Sequence, residues 1–167
     1  MAASSSLLDL AGGLRREEAD GSLVFLGAAL RIRLVTLKPG FVLVTADGEA
    51  LGERDGQAEL ALTTELDREL ERAGTLTVFA DLRQSPRMPA KSRDMIARWT
   101  RRHQARLNAS HVLVHSKFME LAMSIVAMLV GGGMVKVYSK PDVFLNLVRK
   151  VAPRLTELPC VPAANTL

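Results

Sequence analysis

Cysteine is almost absent from this chain. Cys160 stands alone in a proline-containing tail, so no intramolecular disulfide can form and packing alone must hold the fold. A single thiol fits a reducing compartment, and the cytoplasm is the expected one. Aromatic residues are also scarce, at 4% of 167 residues against 48% hydrophobic, so the core is expected to rest on Leu, Val, Ile, Ala and Met. No long apolar run is present. The longest uncharged stretch, Leu121 to Val135, falls short of the roughly 20 residues that cross a bilayer, so no membrane span is expected. The opening MAASSSLLDLAGGLRREEADG has no basic segment ahead of its short apolar patch and soon turns acidic, unlike a signal peptide. G-x-S-x-G is missing, and Cys160 has no local partner that could activate it. No enzymatic activity, cofactor or metal is expected.

What is present begins with a division of charge. Residues 1–80 carry 8 Lys/Arg against 13 Asp/Glu, a net of −5, whereas residues 81–167 carry 14 against 5, a net of +9. Such a split marks either an acidic partner for the basic half or two halves that complement each other inside one fold or across a dimer.

Periodicity places the elements. Ser22–Gly27, Leu30–Leu37 and Phe41–Ala46 read as strands, the second alternating Arg31 and Arg33 with Leu30, Ile32 and Leu34. Pro39-Gly40 predicts the turn of a hairpin. A helix over Gln57–Ala73 sets Ala58, Leu62, Leu66 and Leu70 on one face, with Gly74 as its stop. Leu76–Ala80 is a short continuous apolar strand of the kind buried on both faces. A helix over Ala90–Leu107, a strand His111–His115, an apolar helix near 118–130, a strand Met134–Tyr138 and a helix Pro141–Val151 follow. Ser139 and Asp142 form a Ser-x-x-Asp helix start. The expected fold class is α/β: a mixed sheet with an N-terminal antiparallel hairpin, then alternating helices and parallel strands. Residues 1–21 are expected as a flexible leader, 22–151 as the domain, and 152–167 as a Pro-containing tail.

LTVFAD at Leu76–Asp81, RDMIARWTRRH at Arg93–His103, and HVLVHS through VKVYSKPDVFLNLV give this order its character. The whole resembles the STAS domains, the anti-sigma-factor antagonist or SpoIIAA-like fold, in their short single-domain bacterial form, over about Ser22 to Val151. The resemblance implies a non-catalytic signalling domain that works by protein–protein interaction. In phosphorylatable members an Asp-Ser-(Ser/Thr)-Gly motif opens the helix after the third strand. Here Met88–Asp94 stands in that place. Ser92 is the matching candidate phosphoacceptor, but the preceding Asp and following Gly are missing and Lys91 and Arg93 flank it instead. A helix N-terminus and these cations would favour a phosphate, and an ordinary helix-start serine is the plainer alternative.

Four further constellations carry possible chemistry. Arg83, Arg87, Arg98, Arg101 and Arg102 are the candidate contacts to an acidic protein partner. Arg98, Arg102 and Arg106 recur every four residues as a positive helical ridge. Nucleic acid is not an expected partner, because no aromatic platform accompanies the arginines. Met119, Met123, Ile125 and Met128 are expected either to line a site for an apolar small molecule or lipid, to face a second copy of the chain, or to lie in the core, covered on more than one face. His111 and His115, four apart on a strand, would sit roughly 13 Å apart and could not share an ion. Gly131-Gly132-Gly133 follows a helix rather than preceding one, the wrong dipole end for phosphate, and reads as a helix stop.

Overall fold

The structure, a computed structural model, describes residues 14–131 and 133–162. Seven strands form one sheet in chain order: β1 (Leu14–Glu17), β2 (Leu23–Leu26), β3 (Leu30–Lys38), β4 (Phe41–Gly48), β5 (Leu76–Gln84), β6 (Leu107–Leu113) and β7 (Val135–Tyr138). The first four run antiparallel to their neighbours, and β4 through β7 are parallel. Four helices follow the last four strands: α1 (Glu53–Ala73), α2 (Ala90–His103), α3 (Lys117–Gly131) and α4 (Pro141–Val151).

Each parallel step moves one strand in the same direction, so right-handed crossovers put α1, α2 and α3 on one face. Their neighbours agree. α1 packs on β2 and β3, α2 touches both α1 and α3, and α3 lies against β7. Alternation along β3 sends Leu30, Ile32 and Leu34 into the core under α1, together with Val42, Val44, Val78, Ala58, Leu66 and Leu70. The other face holds a second core of Leu43, Phe79, Leu113, Phe144 and Val148, covered by α4. The central parts of β4 and β5 are thus buried on both sides, which is why Phe41–Val44 and Val78–Ala80 are apolar in succession.

Two expectations about the ends change. Leu14–Glu17, placed in the flexible leader, forms β1 and pairs with β2. The first 13 residues of that leader lie outside the described residues. The tail has no regular structure up to residue 162, yet it is fastened down as a strap over the second face. Arg149 donates to the carbonyls of Leu155 at 3.0 Å and Thr156 at 2.6 Å, while Leu155 and Leu158 pack against the second core. Thr45 and Arg33 then donate to the carbonyls of Pro159 at 3.2 Å and Cys160 at 2.8 Å, and Arg31 to that of Pro162 at 3.2 Å.

Inner boundaries also shift. The helix expected to reach Leu107 stops at His103, where the Arg106 N–H donates to the His103 carbonyl at 2.8 Å. The Leu76 N–H then donates to the Arg106 carbonyl at 2.9 Å, beginning the pairing of β6 with β5. No Gly or Pro announces this stop, so sheet pairing overrides the helical pattern. Ser139 does not cap α4, whose N-cap is Lys140 without a side-chain cap bond; the Ser139 hydroxyl donates to Glu120 instead. α3 ends at Gly131 and Gly133 has φ +92°, as a glycine helix stop requires, while Gly132 lies outside the described residues.

Candidate docking surface

α2 is held to α1 along one stripe. The Ser92 hydroxyl donates to Glu59 Oε2 at 3.0 Å and the Trp99 indole N–H to Asp67 Oδ1 at 2.7 Å. His103 Nε2 lies 3.0 Å from the same Asp67 oxygen, out of line for a hydrogen bond, so its attraction is one of charge when the ring is protonated. Arg106 donates to Glu71 at 2.9 Å and to the carbonyls of Gly74 at 2.9 Å and Leu70 at 2.6 Å, closing the C-terminal end of α1. Positions 92, 99 and 103 recur at helical spacing, so this is the inner face of α2, and Arg106 continues it just beyond the helix end. The acidic helix and the basic segment therefore do complement each other within the chain, but only along this stripe. Arg106 belongs to it and leaves the expected ridge.

The outer face of α2 keeps its cations. Lys91, Arg93, Arg98, Arg101 and Arg102 are exposed, Asp94 is the acid among them, and none of the five makes an ion pair among the described residues. Arg98 only reaches the Asp94 carbonyl at 3.3 Å. Arg83 does not join them. Leu82 packs into the core under α1, so Asp81 and Arg83 point to the opposite face of the sheet. There the Arg83 guanidinium binds both carboxylate oxygens of Asp81, at 2.9 and 2.8 Å, which keeps it firmly charged but already occupied. Arg87 lies on the loop before α2, largely exposed, 3.8 Å from Glu49.

Ser92 is 2% exposed. Burial raises the Glu59 carboxyl above its ordinary value, and the Ser92 hydroxyl opposes that shift. A phosphate on Ser92 would stand against that carboxylate inside the α1–α2 contact, so the helix-start serine is also an inter-helix strut.

On α3 the four expected apolar residues separate. Met119 and Met123 are half-buried and turned inward with Ala127, while Ile125 and Met128 point outward. Phe118, Leu121, Ile125 and Met128 are 81, 58, 59 and 68% exposed, a continuous stripe at 3-4-3 spacing. The helix is therefore not covered all round by the described residues. Ile96, on α2 beside it, is exposed as well.

The histidines are scattered. His111 stacks on Phe79 at 5.1 Å and its Nδ1 lies 3.0 Å from the Tyr138 hydroxyl; burial, helped by Lys136, pushes its pKa down. β6 ends at Leu113, so His115 lies beyond the strand and is exposed. Among the described residues no three His, Cys, Asp or Glu side chains converge as a metal site, and no helix is long and apolar enough to cross a membrane.

This arrangement of sheet and helices has a solved counterpart. It matches an uncharacterized protein of the DUF3478 family with a SpoIIAA-like fold from Shewanella loihica PV-4, with a TM-score of 0.54, at 12% identity, over 71% of this chain and 93% of that one. The fold is SpoIIAA-like. No family model matches the sequence, and no curated protein does.

One residue central to this SpoIIAA-like frame escaped the sequence reading. Asp55, 1% exposed, accepts four backbone N–H groups: Ala29 at 2.8 Å and Leu30 at 3.0 Å on one oxygen, Leu51 and Gly52 at 3.1 Å on the other. Burial disfavours its charge, but the four donors outweigh that and hold the carboxyl below its ordinary value. It ties the β2–β3 turn to the start of α1. Its signal was an acid in a helix first turn, hidden because the helix was expected to begin at Gln57 rather than Glu53.

Proposed function

We propose that this chain is a non-catalytic, STAS-type regulatory domain that docks an acidic protein partner through the outer face of α2. The SpoIIAA-like fold supports the regulatory class, and the cations of α2 support the mode of docking. The observation that carries the reading is that α2 satisfies its inner face against α1 while Arg93, Arg98, Arg101 and Arg102 stay without counter-ions among the described residues. Arg98 and Arg102 stand four apart, where like charges repel by about 0.2–0.5 kcal/mol per pair. An anionic partner surface relieves that repulsion and is steered toward it from solution. Arg87 extends the patch; Arg83, tied to Asp81 across the sheet, does not belong to it.

The apolar-carrier reading is weaker because its four residues do not line one space: two turn inward and two outward. The test is a quantitative pull-down from the native lysate with wild type and with Arg98→Glu/Arg102→Glu, read by mass spectrometry. A partner that the double variant loses, and whose contact surface is acidic, supports docking. Unchanged recovery of every partner rules it out.

A further inference from the structure

The cations of α2 do not stand alone on their side of the molecule. α2 and α3 lie side by side on the same face of the sheet, so their outer surfaces form one layer facing away from it. On α3 that layer presents Phe118, Leu121, Ile125 and Met128, all more than half exposed. A helix interior normally buries such residues, and exposing contiguous large side chains marks a contact surface. The stripe runs from Phe118 to Met128, roughly 15 Å at about 1.5 Å per residue, and is one helix wide. Its 3-4-3 spacing is that of a helix seam that takes knobs from a partner helix.

The flanks of the stripe differ. On the α2 side stand Arg93, Arg98, Arg101 and Arg102. On α3 itself the ionised residues, Lys117 and Glu120, pair with each other at 2.6 Å, and Glu120 also accepts from Ser139 on the β7 side. On that flank Lys140, just beyond β7, is the one exposed cation without an ion pair among the described residues. A membrane surface would be met by cations around the apolar stripe, and a second copy of this face, in either two-fold orientation, would set the arginines against arginines or against the flank where Lys117 and Glu120 cancel, with no row of acids for them. Neither fits a stripe with a row of four arginines along one side and a lone lysine on the other.

The geometry points to an amphipathic α-helix of another protein as the occupant. Its apolar face seats on Phe118, Leu121, Ile125 and Met128, and a row of Asp or Glu along one flank reaches the α2 arginines. This rests on docking through α2 and adds the kind of segment that docks. The apolar seat supplies burial, whereas the arginines fix which way round the helix lies and reject basic helices.

Photo-crosslinking in the cells that make this protein tests the seat separately from the charged patch. The full chain carries p-benzoylphenylalanine in place of Ile125, or in place of Arg101, with a melting temperature matched to wild type. If the 125 variant does not fold, position 121 replaces it. Capture at position 125 of a peptide with apolar residues at 3-4 spacing and acids on one flank is the expected result, and Ile125→Asp should weaken that partner's binding at least about tenfold. Crosslinks from position 125 to this chain, to lipid or to a segment without that pattern overturn the proposal. Capture of an acidic protein at position 101 with nothing at 125 overturns the seat and leaves docking through α2 standing. Capture of no protein at either position overturns both.

Discussion

Replacing Asp55 by Ala should destabilise the fold, although the hydrogen bonds of Asp55 go to the β2–β3 turn and the start of α1 rather than to α2. The carboxylate accepts four backbone N–H groups, but they do not count equally. Leu51 and Gly52 are exposed, and water can replace the lost oxygen for them. Leu30 is buried, and its N–H would be left without an acceptor, whereas Ala29 is exposed and water can serve it as well. A hydrogen bond to a charged group contributes about 1.5–3 kcal/mol and a stranded buried donor costs about 1–3 kcal/mol, so the Leu30 N–H sets a loss of about 2–3 kcal/mol. Against a total of about 5–15 kcal/mol, that is a sizeable fraction of the stability. Urea unfolding at pH 7 measures it directly. Asp55→Asn, which keeps one carbonyl oxygen, should lose less. The dependence on pH carries its own sign. The folded carboxyl titrates below its ordinary value of 3.8, so its contribution is complete above that pH and is lost as pH falls through the lower folded value. The gap between wild type and Asp55→Asn should therefore narrow below about pH 4. A loss under about 1 kcal/mol for Asp55→Ala, or a gap that widens in acid, would refute the tie between the β2–β3 turn and α1.

Three further changes probe the rest of the frame. Phe144→Ala empties a fully buried site that meets Phe79 edge-on at 6.0 Å and Tyr138 at 6.2 Å, and should cost about 3–5 kcal/mol in urea unfolding. Gly48→Ala should cost more than about 2 kcal/mol in thermal melts, because φ is +92° and a Cβ would meet the Ala29 carbonyl oxygen at 1.9 Å. Ending the chain after Ala152 removes the strap and should lower stability by about 2 kcal/mol, the value of two half-buried leucines. It should also speed amide exchange in β3 and β4.

The central architecture was legible because it follows simple periods. β3 alternates, α1 carries Leu62, Leu66 and Leu70 four apart, and the first part of β5, Leu76–Ala80, is mostly apolar because it is buried on both sides. Pairing and charge decide the features that were not legible. β1 reads Leu-Arg-Arg-Glu, too polar to look like a strand, and is held by its register against β2 and by Arg15 3.1 Å from Glu65. The strap has no secondary structure to betray it, and its fastening runs through its own carbonyls, which no side-chain pattern encodes. The arginine ridge was visible as a four-residue repeat, but the repeat could not say that Arg106 turns inward to α1 and Arg83 to the far side of the sheet. The apolar α3 was visible too. Its exposure was not, because hydrophobicity alone does not distinguish a helix buried by its own chain from one left for another.

The cation face of α2 is tested most directly by the salt dependence of binding, measured by stopped flow with the partner recovered in the pull-down. Docking through Arg93, Arg98, Arg101 and Arg102 requires the association rate to fall steeply as ionic strength rises, and Arg98→Glu/Arg102→Glu to lower it by about tenfold or more at low salt while dissociation changes less. An association rate indifferent to salt, or unchanged by the double reversal, would contradict it.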